Sequence, residues 1–213
     1  MKKDVTKIAF LLDRSGSMEP LRDSVIEGVN GYIRTQREGE DDCTITIYRF
    51  DNEFETIVRD DDVHNNFQLT RESYQPRGST ALLDSIAKAI HDFEPTARGA
   101  AQVLFVIQTD GAENSSIEYK GRFDLISEII KRKTAEGWQF IFLGANIDAI
   151  ATGSKLGIGG ATALNYAATA DVTTSMYATL GTKTNVFRSL KKSAPDEQAR
   201  SLSFTAEERK SVL

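Results

Sequence analysis

The 213 residues contain one cysteine, Cys43, and two histidines, His64 and His91. A single cysteine cannot close a disulfide within the chain, so nothing here speaks for an oxidising compartment. Neither histidine lies in a supporting motif, which argues against a zinc centre and against a Ser-His-Asp site. Long apolar runs are also lacking. Ile8–Leu12 and Val103–Ile107 fall far short of the ~20 residues a membrane-spanning helix needs. The start, MKKDVTKIAFLLD, has an apolar run closed by Asp13, too short for the core of a secretory signal. A basic excess is missing: 26 Lys and Arg against 31 Asp and Glu give a net charge of −5, no footprint for nucleic acid or an anionic membrane. Gly153, Gly157, Gly159 and Gly160 fit neither of the glycine-rich phosphate-binding patterns, and Arg14–Ser17 lacks the G-x-S-x-G elbow. The expectation is a soluble, cytoplasmic protein with no nucleic-acid and no membrane partner.

What is present is ordinary globular composition, 40% hydrophobic and 27% charged, which excludes a wholly disordered chain. Strand and helix patterns alternate. Val5 to Leu12, Gln102 to Gln108 and Trp138 to Leu143 read as strands buried on both faces. Met18 to about Gln36 carries Leu21, Val25, Val29 and Ile33 as a helix stripe that Ser17 can cap. Helices are also predicted over Thr80 to Phe93, Glu118 to Ala135, Ala145 to about Leu156 and Val172 to Leu190, with a weak strand over Ala163 to Tyr166. Cys43 to Phe50 and Phe54 to Arg59, separated by Asp51, Asn52 and Glu53, predict a hairpin and hence one antiparallel strand. Asp60 to Gly78 reads as a long polar loop.

This order predicts an α/β fold: a doubly wound, mostly parallel central sheet with one antiparallel edge strand and helices on both faces. Residues 1–190 form the expected domain. Residues 191–213 form a polar tail or short helix, with Thr205 and Glu208 able to make a capping box.

In such sheets ligands bind beyond the carboxyl ends of the strands. Three segments stand there. Asp13, Ser15 and Ser17 follow the first strand at alternate positions, so their side chains can converge. Arg77-Gly78-Ser79-Thr80 opens a helix. Thr109-Asp110-Gly111-Ala112-Glu113-Asn114 follows a later buried strand. Asp13, Asp110, Ser15, Ser17 and Thr80 supply oxygen alone, which suits a hard divalent cation: Mg²⁺ first, with Mn²⁺ or Ca²⁺ as alternatives.

The D-x-S-x-S, G-x-T and T-D-G segments, in this order and these strand contexts, resemble the metal-ion-dependent adhesion site (MIDAS) of von Willebrand factor type A domains. The resemblance covers about Val5 to Tyr166. The runs YQPRGSTALLDSI, TDGAEN and FLGANIDA look like the small free-standing intracellular members of bacteria and phages, some tied to tellurite-resistance-type systems. The resemblance implies that the two serines, and in one state the threonine, contact the metal while the aspartates act through water. It also implies that an Asp or Glu of a partner protein completes the site. The implied role is regulatory or scaffolding, beside an AAA+ ATPase, a kinase or a stress-response complex, and not enzymatic. Arg14 and Arg77 are candidates to clamp the incoming carboxylate, and Glu113 and Asn114 to touch the partner.

Taken singly these signals have plainer readings. Thr80 alone is a helix cap, Asp110-Gly111 a turn, and Glu113 and Asn114 solvated helix-start residues. Asp60-Asp61-Asp62 with His64 reads as a solvated run before a second metal site. A metal-dependent hydrolase of phosphatase type, with Asp13 as nucleophile, has Ser15 where its second carboxylate should stand. A structural subunit of a larger assembly, for example of a phage, with an idle metal site, is the other alternative.

Overall fold

A computed structural model describes residues 4–39, 41–191 and 193–213. Among them β1 (Thr6–Asp13), α1 (Arg22–Arg37), β2 (Cys43–Phe50), β3 (Phe54–Asp62), α2 (Leu82–Ala97), β4 (Gln102–Thr109), α3 (Phe123–Ala135), β5 (Trp138–Ala145), α4 (Ala149–Lys155), β6 (Ala163–Tyr166), α5 (Ala170–Ser189), α6 (Pro195–Ser201) and α7 (Ala206–Ser211) follow in order. The six strands form one sheet ordered β3-β2-β1-β4-β5-β6. Only β3 is antiparallel to its neighbour, pairing with β2. The expected doubly wound α/β sheet is therefore the observed one.

The inner strands are buried on both faces because both faces are covered. Ile8, Phe10 and Leu12 of β1 pack with Val25, Val29 and Tyr32 of α1 and with Met176, Tyr177 and Leu180 of α5. Ala9 and Leu11 pack on the other side with Leu83, Ile86 and Ile90 of α2, in the cluster that also holds Ile126 and Ile130 of α3. β1 lies between β2 and β4, with Asp13 opposite Phe50 and Leu12 opposite Gln108. From β1 the chain winds outward one way, and from β4 the other. The carboxyl ends of β1 and β4 thus flank the switch point, where a crevice must open.

Several element ends differ from expectation, each for a local reason. A 3₁₀ turn, Gly16–Leu21, precedes α1 and contains Pro20. The helix therefore starts at Arg22, and Ser17 does not cap it. β3 runs to Asp62 because the register shifts along β2 and Asp60 adopts φ 48°, a bulge that lets pairing resume. α2 begins at Leu82 because both backbone groups of Thr80 are engaged elsewhere. α3 begins at Phe123, since the amides of Ile117, Glu118 and Tyr119 are taken by Asp84. β5 continues to Ala145, and Asp148 caps α4 through the Ala151 amide.

Residues 193–213 pack on the body: Leu202, Phe204 and Val212 join the core beneath α5. They also seal the β6 end of the sheet. Phe204 N donates to Ala161 O, Ala167 N to Val212 O, and Arg209 to the carbonyls of Gly160, Ala161 and Ala163. The Thr205–Glu208 capping box is formed. No described helix is long and apolar enough to cross a membrane.

Candidate metal centre

β1 delivers Asp13 to the rim, where it is fully buried. Its Oδ1 accepts from Ser15 N at 2.6 Å, and its Oδ2 from the Thr109 hydroxyl at 2.5 Å. Its own carbonyl accepts from the Tyr74 hydroxyl at 2.5 Å. The first bond folds the chain back at once, which aims the two serines inward. Ser15 Oγ and Ser17 Oγ lie 3.1 Å apart, and Ser17 Oγ donates to Asp110 Oδ1 at 2.7 Å.

Thr80 closes the ring. A methyl group built on Gly111 would stand 3.1 Å from Thr80 Oγ1 and 3.8 Å from Ser17 Oγ. Both hydroxyls therefore close on the Gly111 backbone, and any side chain there would crowd them. The threonine loop is tied to the serine loop by Arg77 N to Arg14 O at 2.6 Å and Gly16 N to Gly78 O at 3.1 Å. Gly78 has φ +67°, a left-handed conformation that favours glycine, and a Cβ there would push the exposed Asn52 side chain aside.

The electrostatics favour a cation at this rim. Burial pushes the Asp13 carboxyl up to about 6, with the charge of Asp110 adding to the effect and the bonds from Thr109 and Ser15 opposing it. Burial also raises Asp110, against its bond from Ser17. Among the described residues neither carboxylate makes an ion pair. The adjacent arginines are committed elsewhere. Arg14, its side chain 3% exposed, has Nε 3.1 Å from Asp51 Oδ2 and Nη2 2.5 Å from Glu55 Oε2. These are ion-pair contacts without hydrogen-bond alignment. Arg77 Nε donates to the same Asp51 oxygen, Oδ2, at 2.9 Å, and its Nη2 meets Glu53. Two unpaired carboxylates and three hydroxyls facing one another form a donor set that fits a hard divalent ion. No group of three or more His, Cys, Asp or Glu able to hold a metal occurs among the described residues. The donors here are mostly neutral hydroxyls.

The structure thus brings Asp13, Ser15, Ser17, Thr80 and Asp110 together. Arg14 and Arg77 lie beside them and pair with Asp51, Glu53 and Glu55. Glu113 and Asn114 are bonded to the body of the fold, Glu113 half-buried and Asn114 exposed: Glu113 accepts from Leu83 N, Ser115 N, Ser116 N and the Ser116 hydroxyl. Asn114 Oδ1 accepts from Thr80 N at 2.8 Å. Asp62 of the acidic run bonds His64 locally, and Asp60 bonds Lys7 and Thr44. Sequence reasoning missed Asp51, taken as a turn residue, and the roles of Thr109 and Tyr74. The pairing of β1 with β4 is the signal that puts Thr109 beside Asp13.

No protein-family model and no curated protein matches this sequence. Solved structures do. Proximal thread matrix protein 1 from the mussel byssus, solved with a zinc-occupied MIDAS motif, is 14% identical with a TM-score of 0.61, covering 86% of this chain and 46% of that one. The pilus adhesin SpaC from Lactobacillus rhamnosus GG, in an open conformation, is 12% identical with a TM-score of 0.68, covering 84% of this chain and 30% of that one. A von Willebrand factor type A protein from Catenulispora acidiphila is 14% identical with a TM-score of 0.56, covering 94% and 43%. This chain spans less than half the length of these three. At such identities the likeness is one of fold, and that fold is the von Willebrand factor type A, Rossmann-like one.

Proposed function

We propose that the chain is a metal-dependent protein-interaction module that docks an acidic residue of a partner protein at this rim, in a regulatory or scaffolding role. One observation carries the reading. Asp13 and Asp110 are buried side by side, raised by burial, without a cation, while both neighbouring arginines are spent on Asp51. Ser15, Ser17, Thr80, Asp13 and Asp110 would hold the ion, Mg²⁺ by cellular supply, with Mn²⁺ or Ca²⁺ as alternatives. A bound divalent cation with mostly neutral ligands stays electrophilic and so attracts an outside carboxylate. The zinc-occupied motif in the mussel protein supports a divalent ion at the corresponding fold position. Asp13 is fully buried with both oxygens engaged, which weighs against its service as a hydrolytic nucleophile. The YQPRGSTALLDSI and TDGAEN runs resemble those of small intracellular bacterial and phage members, and on that resemblance the proposed partners are an AAA+ ATPase, a kinase or a stress-response complex.

The test has two steps. Calorimetric titration with Mg²⁺ and Mn²⁺ should give one site that Thr80→Ala weakens at least ~10-fold. A pull-down from the native cell should then retain a protein with Mg²⁺ that is lost in EDTA and with Thr80→Ala. Its retention should also be lost when one Asp or Glu of that protein is replaced. No metal binding, or equal retention in EDTA, would sink the proposal.

A further inference from the structure

The connection between β4 and α3, residues 110–122, has no regular structure, yet it is fastened at every turn. α2 starts with Ala81 at its cap position and no side-chain cap of its own. Its orphan amides are met from the loop: Leu83 N donates to Glu113 Oε2 at 2.9 Å and Asp84 N to Ser116 Oγ at 3.1 Å. Asp84 reciprocates. Its carboxylate accepts from Ile117 N at 2.8 Å, Glu118 N at 3.2 Å and Tyr119 N at 2.8 Å. Helix and loop therefore cap each other across more than thirty residues of sequence. Thr80 is gripped inside this clasp. Its amide donates to Asn114 Oδ1 at 2.8 Å, and its carbonyl accepts from Asn114 N at 3.0 Å and Ser115 N at 3.2 Å.

We propose that Asn114 is a positioning residue of the metal centre: its side chain, steadied by the Glu113 clasp, holds Thr80 at the spot where its hydroxyl closes on Gly111. The proposal rests on Thr80 being a metal ligand. The segment before Thr80 is tied to the serine loop through the backbone bonds at Arg77 and Gly78 and through the Tyr74 hydroxyl on Asp13 O. At Thr80 both backbone groups go to the β4–α3 loop, which also begins with Asp110. One loop thus provides Asp110 and sets the place of Thr80, so its order governs how two of the five ligands meet. Outer partners of metal ligands commonly set affinity by ~10–100-fold.

The test compares four variants by calorimetry with Mn²⁺, together with the melting temperature and amide exchange of the metal-free protein. Asn114→Ala should weaken Mn²⁺ by ~10-fold or more and expose the Thr80 amide to exchange. Asn114→Asp keeps the acceptor and should keep both the affinity, within about threefold, and the protection. Asp84→Asn puts an amide before three N–H donors. It should lower the metal-free melting temperature at least as much as Asn114→Ala while leaving Mn²⁺ affinity within about threefold. Thr80→Ala reports on the underlying reading. If it leaves affinity unchanged, the ligand assignment fails, whatever Asn114 does. If Thr80→Ala weakens binding and Asn114→Ala does not, the positioning role is overturned. Equal losses in Asn114→Ala and Asp84→Asn would also overturn it, as a general loosening. Should Asn114→Ala not fold, Asn114→Gln, which displaces the acceptor by one methylene, takes its place with the same expected loss.

Discussion

Replacing Asp13 by Asn should stabilise the metal-free protein and abolish its response to metal. Asp13 is fully buried, and burial raises its carboxyl from 3.8 to about 6. A group raised in the folded state contributes its stability below the unfolded value and loses it as pH climbs through the folded one. Between about pH 4 and about pH 8 the metal-free protein therefore loses up to about 3 kcal/mol through this one residue. Asparagine escapes that loss and can keep the contacts. Its Oδ1 can still accept from Ser15 N, and its Nδ2 can donate to the Thr109 hydroxyl, which then donates to Gly111 O, 3.1 Å away. For a chain of this size about 3 kcal/mol corresponds to a rise of roughly 6–12 °C in melting temperature. The assay is thermal unfolding of both proteins in EDTA and in excess Mg²⁺, at about pH 4, 6 and 8. In EDTA the variant should lead at the highest pH and the difference should close at the lowest. In Mg²⁺ the wild type alone should gain. A variant that melts below the wild type in EDTA at about pH 8 would refute the reasoning, because Asp13 would then be an ordinary stabilising carboxylate.

Other consequences can be checked as directly. Gly78→Ala should cost about 1–2 kcal/mol by denaturant unfolding, because φ +67° is a left-handed conformation that alanine adopts only at a cost. Asp51→Asn removes the charge shared by Arg14 and Arg77 but leaves the buried Arg14 with Glu55, and should cost about 1–3 kcal/mol by the same measurement. The Cys43 thiol, buried and pushed up to about 12, should resist alkylation in the native protein and react at the rate of unfolding. Rapid labelling under native conditions would contradict that burial.

The sequence shows the sheet clearly because its strands are apolar on both faces. CTITIYRF and ALNY fall where the patterns put them, and TKIAFLLD, QVLFVIQT and WQFIFLGA extend those patterns by a residue or two. The five clustered oxygen-bearing side chains are legible too, since each sits next to a strand end or helix start whose place the topology dictates. Helix starts are harder to read. Thr80 resembles a cap, but the real cap of α2 is Glu113, thirty residues on, and no local pattern can show a bond made across the fold. The same applies to Arg14 and Arg77. Their neighbourhood to the ligands is written in the sequence, whereas their commitment to Asp51 depends on how the β2–β3 turn folds over them.

The two margins of the sheet meet the outside world differently. The β3 margin is bulged at Asp60 and lined with Arg59, Asp60, Asp61 and Asp62, charges that discourage a neighbouring strand. The β6 margin is partly covered by residues 204–212: Arg209 takes the Ala163 carbonyl, and backbone bonds at Ala161 and Ala167 flank the strand. Growth of the sheet by addition of a foreign strand is therefore disfavoured on both sides. The approach left open is end-on, over the loops at the strand tips, and that is the approach on which a metal-borne contact would be met first. The final segment cannot both close the sheet and reach out to a neighbour. Any assembly that recruited it would have to leave the β6 margin bare.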